Sequence, residues 1–318
     1  MAGALSHTLV LEAPAKVNVS LAVHYPPRKG YHVLESVFQA LDVHDVVTFR
    51  ICESDELPDA LVTSSGTPVA LSCPGIDVAP DKNLAYRALD AVECACGLRA
   101  VPRGFALDIT IEKHIPAGGG LGGGSSDAAA VLRAYALLHG YSATYALFTD
   151  VARQLGADVA FFLYGGAALM GGRGDVFERR ISTFPLPFVL MGDASALSTP
   201  DVYAVFDAAH EDASAVPDDA VLPSALVREL DSPDATARSI AALCANNLDA
   251  AACSLAPQLA ERLARARADE DVLAALVSGS GATCFAICAD DERAHAFAER
   301  ASDYCAWVRV AHARLPYS

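Results

Sequence analysis

Residues 115–130 read Ile-Pro-Ala-Gly-Gly-Gly-Leu-Gly-Gly-Gly-Ser-Ser-Asp-Ala-Ala-Ala. Before this stretch, apolar and more polar residues alternate from Phe105 to Ile111, a period typical of a half-buried strand. After it, apolar residues from Ala128 to Leu138 recur at helical spacing. The stretch therefore predicts a glycine-rich loop that joins a strand to a helix.

Such a loop is suited to binding an anion. Glycine has no Cβ, so the backbone turns sharply and its N–H groups approach a ligand closely. Ser125 and Ser126 lie where the helix begins, at the positive end of its dipole and among N–H groups that have no partner within the helix. Phosphate is the usual occupant of such a position.

Two common phosphate motifs and a flexible linker fit this loop poorly. The spacing from Gly119 to Gly124 matches a P-loop, but Ser125 stands where that motif has lysine. A dinucleotide fold has an acidic residue about 20 positions after its glycines, and residues 140–148 contain none. A glycine linker is not flanked by a patterned strand and helix.

Composition limits the classes of partner. The 318 residues suit two domains, and a hydrophobic fraction of 53% with 19% charged residues supplies sizeable cores. The net charge of −16 argues against a nucleic-acid partner, whose phosphate backbone is also negative. An acidic protein still binds ATP, because loop amides and a few local cations make those contacts.

The nine cysteines lack the paired spacing of a disulfide framework or a zinc site, so we expect buried free thiols in a reducing cytosol. The N-terminus lacks a basic region ahead of an apolar core, and no charge-free run reaches the ~18 residues of a membrane span. We therefore expect a soluble, cytoplasmic protein without a membrane partner.

Four positions outside the loop are candidates for function, each with a structural alternative. Lys16 is the only lysine or arginine before Tyr25, on a predicted extended segment whose polar face is ordinarily solvated. Tyr31 and Phe38 flank a histidine, although aromatic side chains usually belong to a core. Asp158 lies in an apolar segment, so it either has a cationic partner, accepts a proton, or caps a helix.

The other predicted elements follow from local pattern. They are an extended segment over 8–25 interrupted at Pro14, a strand over 45–51, a loop-rich region over 54–80, a helix over 83–96, a glycine turn at 171–174, a domain boundary within 177–188, a strand over 188–191, a helix over 201–209, an acidic loop over 211–219, further helices to 267, a glycine turn over 277–283, a strand over 284–288, a helix over 292–302 and a strand over 308–311.

Three separated blocks resemble the motifs of the GHMP kinases, in that family's order. They are Ala13-Pro-Ala-Lys-Val-Asn18, the glycine loop, and Ser278-Gly-Ser-Gly-Ala-Thr283. Gly30-Tyr-His32 with Phe38-Gln39, and Gly156-Ala-Asp-Val159 with two phenylalanines, resemble the branch that phosphorylates a methylerythritol carrying a cytidine diphosphate group in the non-mevalonate isoprenoid route.

The resemblance implies an α+β fold of two domains with the active site in the cleft between them. Residues 1–178 would form a ribosomal-protein-S5-domain-2-like domain, and residues 179–318 an α/β-sandwich domain. It also implies a small-molecule kinase that uses ATP, and Mg²⁺ held mainly by the ATP phosphates, with no protein metal ligand assigned. The branch would act as a monomer or weak homodimer.

The resemblance also implies a role for each matching position. Asp158 would be the general base, and Lys16 would keep it ionised and polarise the substrate hydroxyl. Tyr31 and Phe38 would sandwich the cytosine, and His32 would read its edge. Asn18 would contact the substrate, Thr199 would lie near the transferred phosphate, and Asn83 and Lys113 would lie towards the adenine. The loop residues that would cradle the ATP phosphates are Pro116, Ala117, Gly118, Gly119, Gly120, Leu121, Gly122, Gly123, Gly124, Ser125 and Ser126.

Two other functions are possible on the same fold, and three positions of the sequence depart from the family pattern. One rival is another GHMP kinase, which phosphorylates mevalonate or homoserine; those substrates have no base to stack on Tyr31. A catalytically silent sensor on the same fold would need neither Lys16 nor Asp158. Ala160 replaces a usual proline, Asn247 replaces a usual aspartate, and Gly192-Asp193 stands where relatives often carry a basic residue and proline.

Overall fold

The computed structural model describes residues 8–27, 30–116, 119–193, 197–211 and 222–317. Contacts divide the chain into two compact units, each built from several segments. Among the described residues, unit 1 takes those of Met1–Ala15, Val43–Ile115 and Gly122–Tyr164, and unit 2 takes those of Lys16–Asp42, Pro116–Leu121 and Gly165–Ser318. The division of the sequence into domains at residue 178 stays a prediction.

Two long strands, β1 (Thr8–Val23) and β2 (Leu34–Glu53), contribute residues to both units. In unit 1, the second half of β2 pairs antiparallel with β5 (Phe105–Glu112), which pairs parallel with β4 (Pro68–Ser72). The short strand β3 (Leu61–Val62) pairs antiparallel with β4. Alternate residues of β5 are buried, as the sequence period predicted.

Four helices complete unit 1: α1 (Leu84–Cys96), α2 (Gly123–Leu138), α3 (Ala146–Leu155) and α4 (Ala157–Tyr164). Helix α2 packs against both α1 and α4. Its buried face is rich in alanine, and small side chains let neighbouring helices approach closely. This packing fixes the N-terminus of α2, where the glycine loop ends.

Unit 2 contains the first half of β2, which pairs antiparallel with β6 (Ala167–Gly171), and β6 pairs antiparallel with β7 (Val176–Arg180). A separate antiparallel sheet has the strand order β11-β8-β10-β9. Its strands are β8 (Phe188–Gly192), β9 (Val272–Val277), β10 (Cys284–Cys288) and β11 (Trp307–Ala311). The unit 2 helices are α5 (Thr199–His210), α6 (Pro223–Leu230), α7 (Ala237–Ala242), α8 (Asp249–Leu255), α9 (Pro257–Ala268) and α10 (Asp291–Ala301).

The segment after β11 runs alongside β2 within unit 2. The N–H of Asp42 donates to the carbonyl of His312 (2.9 Å), and the N–H of Arg314 donates to the carbonyl of Ala40 (2.8 Å). Gly166 has φ +69°, and a Cβ there would lie 2.8 Å from the ring of Pro316. Glycine is required at this position because the segment packs directly on its backbone.

The strand, glycine loop and helix around residues 105–138 are confirmed, as are the helix from Leu84 and the strands at 188–191 and 284–288. All nine cysteines are free, and Cys94 is exposed. Residues 212–219 of the predicted acidic loop lie outside the described residues. No helix of the described ranges combines the length and apolarity needed to cross a bilayer.

Three expectations about strands were wrong. β1 continues through Pro14 without interruption, because proline fits an extended backbone and removes only one N–H donor. β2 begins at Leu34 rather than at 45, and β4 lies inside the region expected to be loops. The first part of β2 carries buried polar side chains, Ser36 and Gln39, which have hydrogen-bond partners distant in sequence. A local hydrophobic pattern does not detect such residues.

Candidate active site

The three sequence blocks that resemble kinase motifs meet within unit 2 at the first half of the glycine loop. The carbonyl of Gly119 accepts from the N–H of Thr283 (3.2 Å), and the carbonyl of Gly120 accepts from the hydroxyl of Ser278 (3.0 Å). The N–H of Lys16 donates to the carbonyl of Leu121 (2.9 Å). Strand β1, the loop and the turn before β10 therefore form one arrangement.

Close backbone contact explains one of the glycines. Gly120 has φ +73°, and a Cβ there would collide with the carbonyl oxygen of Ser278. Pro116 is described and half-buried, whereas Ala117 and Gly118 lie outside the described residues. Glycine at 120 therefore serves the packing of the loop against the Ser278–Thr283 turn, whatever the loop binds.

The second half of the loop, in unit 1, leaves donors available at the start of α2. Gly122 is the N-cap residue, with φ +75° and no capping side chain, and the N–H of Ser126 makes the first bond of the helix, to the carbonyl of Gly122 (2.9 Å). The N–H groups of Gly123, Gly124 and Ser125 precede that bond and have no acceptor within the helix. Ser126 is buried, and its Oγ has no hydrogen-bond partner among the described residues.

A buried hydroxyl without a partner is uncommon in a folded protein and calls for an occupant. A phosphate would accept from this hydroxyl and from the N–H groups of the first turn, and it would face the positive end of the α2 dipole. The residues at the start of α2 thus fit the phosphates of a nucleotide.

Lys113 lies just before the loop in unit 1, between two buried carboxylates. Its Nζ is 2.7 Å from Asp127 and also contacts Asp45, whose other oxygen accepts from the N–H of His114 and of Ile115 (2.7 Å). Burial acts to lower the pKa of Lys113, but the two carboxylates outweigh it and the net pKa is raised. Burial raises the pKa of Asp127 to about 7, against the opposite effect of Lys113.

Asn83, the other residue expected towards the adenine, is the N-cap of α1. Its side-chain oxygen accepts from the N–H of Ala85 (2.9 Å). In unit 1, then, both Asn83 and Lys113 have structural partners, and their role towards a nucleotide stays a prediction.

Lys16 and Asn18 lie on β1 in unit 2, and both are only 3% exposed. A solvated outer face for this part of the strand is therefore excluded. The Nζ of Lys16 donates to Oδ1 of Asn18 (2.7 Å) and lies 5.1 Å from the ring centroid of Phe38. A Cβ on Gly279 would lie 3.4 Å from Asn18 Oδ1 and 3.6 Å from Lys16 Nζ, so the turn before β10 closely approaches both side chains.

Tyr31 and Phe38, expected to form one pair, differ in exposure. Tyr31 is 58% exposed, and the guanidinium of Arg173 lies 4.8 Å from its ring centroid, whereas Phe38 is 2% exposed. Arg173 also pairs with Asp175. The alternative that both rings belong to the core therefore holds for Phe38 and fails for Tyr31.

His32 has neighbours that the sequence did not suggest. Its Nδ1 lies 3.0 Å from the carbonyl oxygen of His24, and its Nε2 lies 3.0 Å from the carboxylate of Asp207 on α5. The half-buried ring of Tyr203 is 5.1 Å from the His32 ring, centroid to centroid. Tyr203 and Asp207 are four residues apart on α5, so they share one helix face; that spacing is the signal that would have singled them out.

Thr199 and Asp158 are placed by helix starts. The Thr199 hydroxyl, in the first turn of α5, lies 2.8 Å from the hydroxyl of Ser280, which brings it to the third motif block within unit 2. Asp158 is the second residue of α4 in unit 1 and is partly buried. It therefore lies inside the first turn of the helix and not at the N-cap. Negatively charged side chains in the first turn interact favourably with the helix dipole.

The described residues contain no group of three or more histidine, cysteine, aspartate or glutamate side chains arranged to hold a metal ion.

Two family models match the chain. The GHMP kinases N terminal domain matches residues 83–166, and the GHMP kinases C terminal domain matches residues 226–306. Among similar proteins, the 4-diphosphocytidyl-2-C-methyl-D-erythritol kinase of Streptomyces avermitilis is 38% identical over 97% of this chain and 98% of its own. The protein of the same name from Pelotomaculum thermopropionicum is 36% identical over 91% of this chain and 92% of its own.

Solved structures agree with these matches. A crystal structure of 4-(cytidine 5'-diphospho)-2C-methyl-D-erythritol kinase superposes with a TM-score of 0.70 at 31% identity, covering 96% of this chain and 100% of the other. A homoserine kinase from Cytophaga hutchinsonii has a TM-score of 0.68 at 20% identity, covering 97% of this chain and 95% of its own. At that identity the second likeness concerns the fold alone.

Proposed function

The chain belongs to the GHMP kinase family, and from that premise we propose that it transfers the γ-phosphoryl group of ATP to the 2-hydroxyl of 4-diphosphocytidyl-2-C-methyl-D-erythritol, a step of the non-mevalonate isoprenoid route. The observation that carries the proposal is the meeting of the three motif blocks at the glycine loop, which runs on into the uncapped start of α2. Relatives named for this activity cover nearly the whole chain.

Residues Pro116 to Ser126 bind the ATP phosphates in this proposal, with the hydroxyl of Ser126 and the first N–H groups of α2 as donors. Asn83 and Lys113 lie towards the adenine. Mg²⁺ accompanies ATP and is held mainly by its phosphates.

Asp158 accepts the proton of the substrate hydroxyl as that oxygen attacks the γ-phosphorus. It lies in the first turn of α4, and its carboxylate is the general base of this proposal. Lys16 polarises the same hydroxyl and supports the ionised base. Phosphoryl transfer passes through a loose, charge-rich transition state, so positioned charges supply most of the rate.

The cytosine stacks on the exposed ring of Tyr31, and His32 reads the edge of the base. The carbonyl of His24 orients His32 through Nδ1, and the Nε2 atom of His32 faces Asp207. In this proposal the edge of the cytosine replaces Asp207 as the partner of Nε2 when the substrate binds. Because Phe38 is buried in the structure, its proposed contact with cytosine requires movement of the ring, whereas Tyr203 already lies beside His32. Asn18 contacts the substrate, and Thr199 lies near the transferred phosphate.

We also propose that the enzyme works in the cytoplasm as a monomer or weak homodimer, on a free small molecule rather than on nucleic acid or at a membrane. The overall negative charge of the chain agrees with this choice of partner.

The test is steady-state ADP release with the cytidylyl substrate, mevalonate, homoserine and galactose, for the wild type and for Asp158→Asn. We expect turnover of the cytidylyl substrate alone. Asp158→Asn keeps the shape of the side chain but cannot accept the proton, so kcat should fall by roughly 10²–10⁴-fold while ATP still binds. Preferred turnover of mevalonate or homoserine would assign the chain to another branch of the family, and ATP binding without turnover of any substrate would favour the sensor.

A further inference from the structure

Beyond Lys16 itself, a hydrogen-bonded chain of two buried side chains and one backbone carbonyl continues away from its ammonium within unit 2. Asn18 Oδ1 accepts from Lys16 Nζ (2.7 Å), Asn18 Nδ2 donates to the hydroxyl of Ser36 (2.9 Å), and that hydroxyl donates to the carbonyl of Ser20 (2.8 Å). Ser36 belongs to β2, while the other three residues belong to β1. All four residues are buried.

The direction of each hydrogen bond is fixed by chemistry. A backbone carbonyl only accepts, so the Ser36 hydroxyl donates its one hydrogen to the carbonyl of Ser20 and accepts a hydrogen bond from Asn18. That requirement turns the NH₂ group of Asn18 towards Ser36 and its oxygen towards Lys16. An ammonium only donates, so this is the one amide orientation that lets Lys16 bond to Asn18.

We propose that Ser36 is a positioning residue for phosphoryl transfer, because it locks the Asn18 amide in the orientation that holds the Lys16 ammonium. This rests on the proposed role of Lys16 in the reaction. Without the Ser36 hydroxyl, the NH₂ group of Asn18 loses its acceptor, and only the contact with Lys16 still holds the amide in this orientation. In the flipped orientation its NH₂ group would face the ammonium, and Lys16 would lose this acceptor.

Burial makes the lock effective. Ser36 and Ser20 have no exposed surface, so bulk water does not replace a lost partner within this network. Proton transfer through the chain is not part of the proposal, since the amide has no proton to relay without changing its bonding. Ser36 acts through the Asn18 amide on the position of Lys16.

Ser20 supplies a matched control on the neighbouring strand. Its side chain is equally buried, but its Oγ has no hydrogen-bond partner among the described residues, and only its backbone carbonyl ends the chain. Ser20→Ala therefore removes a buried hydroxyl of the same size and leaves every bond of the network in place. Loss of an unsatisfied hydroxyl is neutral or slightly stabilising.

The experiment compares kcat, both Michaelis constants and Tm for Ser36→Ala, Ser36→Cys, Ser36→Thr and Ser20→Ala. We expect Ser36→Ala to lower kcat about 3- to 10-fold with little change in the KM for ATP, matching the usual net worth of one buried hydrogen bond. Ser36→Cys keeps the volume but hydrogen-bonds weakly; it should behave like Ala, which preserves the test if Ser36→Ala folds poorly. Ser36→Thr keeps the hydroxyl and should restore kcat, and Ser20→Ala should match wild type.

A double variant separates this inference from the proposed function. In a Lys16→Met background, Ser36→Ala should add no further loss of kcat, because the residue that it positions is gone. Equal losses in both backgrounds, or equal kcat in Ser36→Ala and Ser20→Ala, would overturn the positioning role. Wild-type turnover by Lys16→Met would instead refute the role of Lys16 itself.

Discussion

Two lysines that are largely shielded from solvent, one in each unit, are held in opposite ways. Lys113 in unit 1 lies between the carboxylates of Asp45 and Asp127, inside an ionic cluster. Lys16 in unit 2 donates to a neutral amide and lies over the face of Phe38. Lys16 lies in a segment that contacts the glycine loop, and Lys113 lies in the segment just before it. Sequence position alone therefore does not distinguish a catalytic role from a structural role for either lysine.

The difference in partners predicts a difference in role. If the cation between two buried carboxylates is removed, their negative charges stay buried without compensation, which destabilises the folded state. Lys113 is therefore expected to stabilise the segment before the loop. Lys16 donates a hydrogen bond to a neutral amide, and its proposed role assigns the positive charge to the reaction, so its loss is expected to act mainly on turnover. Each of the following experiments tests one side of this contrast.

The largest effect is expected on turnover in Lys16→Met. The substitution removes the charge and keeps most of the side-chain length, so kcat should fall by roughly 10²–10³-fold through lost electrostatic stabilisation. Tm should change less than in Lys113→Met, because the Asn18 amide that accepts from Lys16 is neutral and leaves no uncompensated charge when Lys16 is removed. Steady-state ADP release and a thermal scan measure both quantities. A large fall in Tm with kcat preserved would reverse the contrast.

Lys113→Met should instead destabilise the fold. Asp45 and Asp127 lose their shared cation, and breaking a buried ion pair on one side costs about 3–5 kcal/mol. The free energy of unfolding in urea measures this loss. Lys82→Met is the matched control, since Lys82 is 76% exposed and pairs with Asp81 on the surface. Equal stability of the two variants would show that the cluster around Lys113 is not structural.

The aromatic pair sharpens the contrast within unit 2. Tyr31→Ala removes an exposed ring, so substrate binding should weaken by about 5- to 150-fold with Tm unchanged. Phe38→Ala empties a buried site and should cost about 3–5 kcal/mol of stability. Tm and both Michaelis constants are to be measured together. Unchanged substrate binding in Tyr31→Ala would remove the stacking role and reopen the choice among GHMP kinases.

The smallest effect is expected at an exposed cluster that repeats the arrangement around Lys113. His312 lies between Asp42 (Nδ1, 3.2 Å) and Asp291 (Nε2, 2.8 Å), and the hydrogen bond to Asp291 raises its pKa. A histidine with a raised folded-state pKa stabilises fully below its unfolded value of about 6.5, and this contribution is lost as the pH rises through the folded-state pKa.

His312→Gln should therefore lower Tm by only about 1–2 °C at pH 6, since exposed ion pairs contribute little, and by almost nothing at pH 9. His295→Gln, at an exposed position on α10, is the control. A loss of the same size at both pH values would mean that His312 acts through packing rather than charge.

The sequence predicted what depends on local pattern. The strand, loop and helix around residues 105–138 follow from a change of period across a run of glycines, and the resemblance of the three motif blocks correctly indicated the family. The sequence marked Lys16 as a functional candidate because it is the only lysine or arginine before Tyr25, but it did not predict that Lys16 and Asn18 are buried. The buried state of Phe38 was the default interpretation, which the resemblance had set aside.

Contacts between distant residues were beyond prediction. Asn247 stands where the family usually has aspartate. Its amide oxygen accepts from the N–H of Val23 (3.0 Å), and its NH₂ group donates to the carbonyl of Val23 (2.9 Å). An ionised aspartate could accept the first hydrogen bond but could not donate the second. Asp193, at another departure, forms an ion pair with the buried Arg262. Nothing in the structure explains the change to Ala160. These partners lie far along the chain, and no spacing rule connects them.

The segment after β11 has a consequence for how the chain is made. Asp42 and His312 hydrogen-bond across a separation of 270 residues. At a translation rate of about 5–20 residues per second, the segment emerges on the order of 15–50 seconds after residues 40–42. Until then these backbone groups of β2 lack their final partners and form an open strand edge, the kind of surface that pairs with other chains. Nascent unit 2 should therefore be most prone to aggregation late in synthesis, when everything except its closing segment is present.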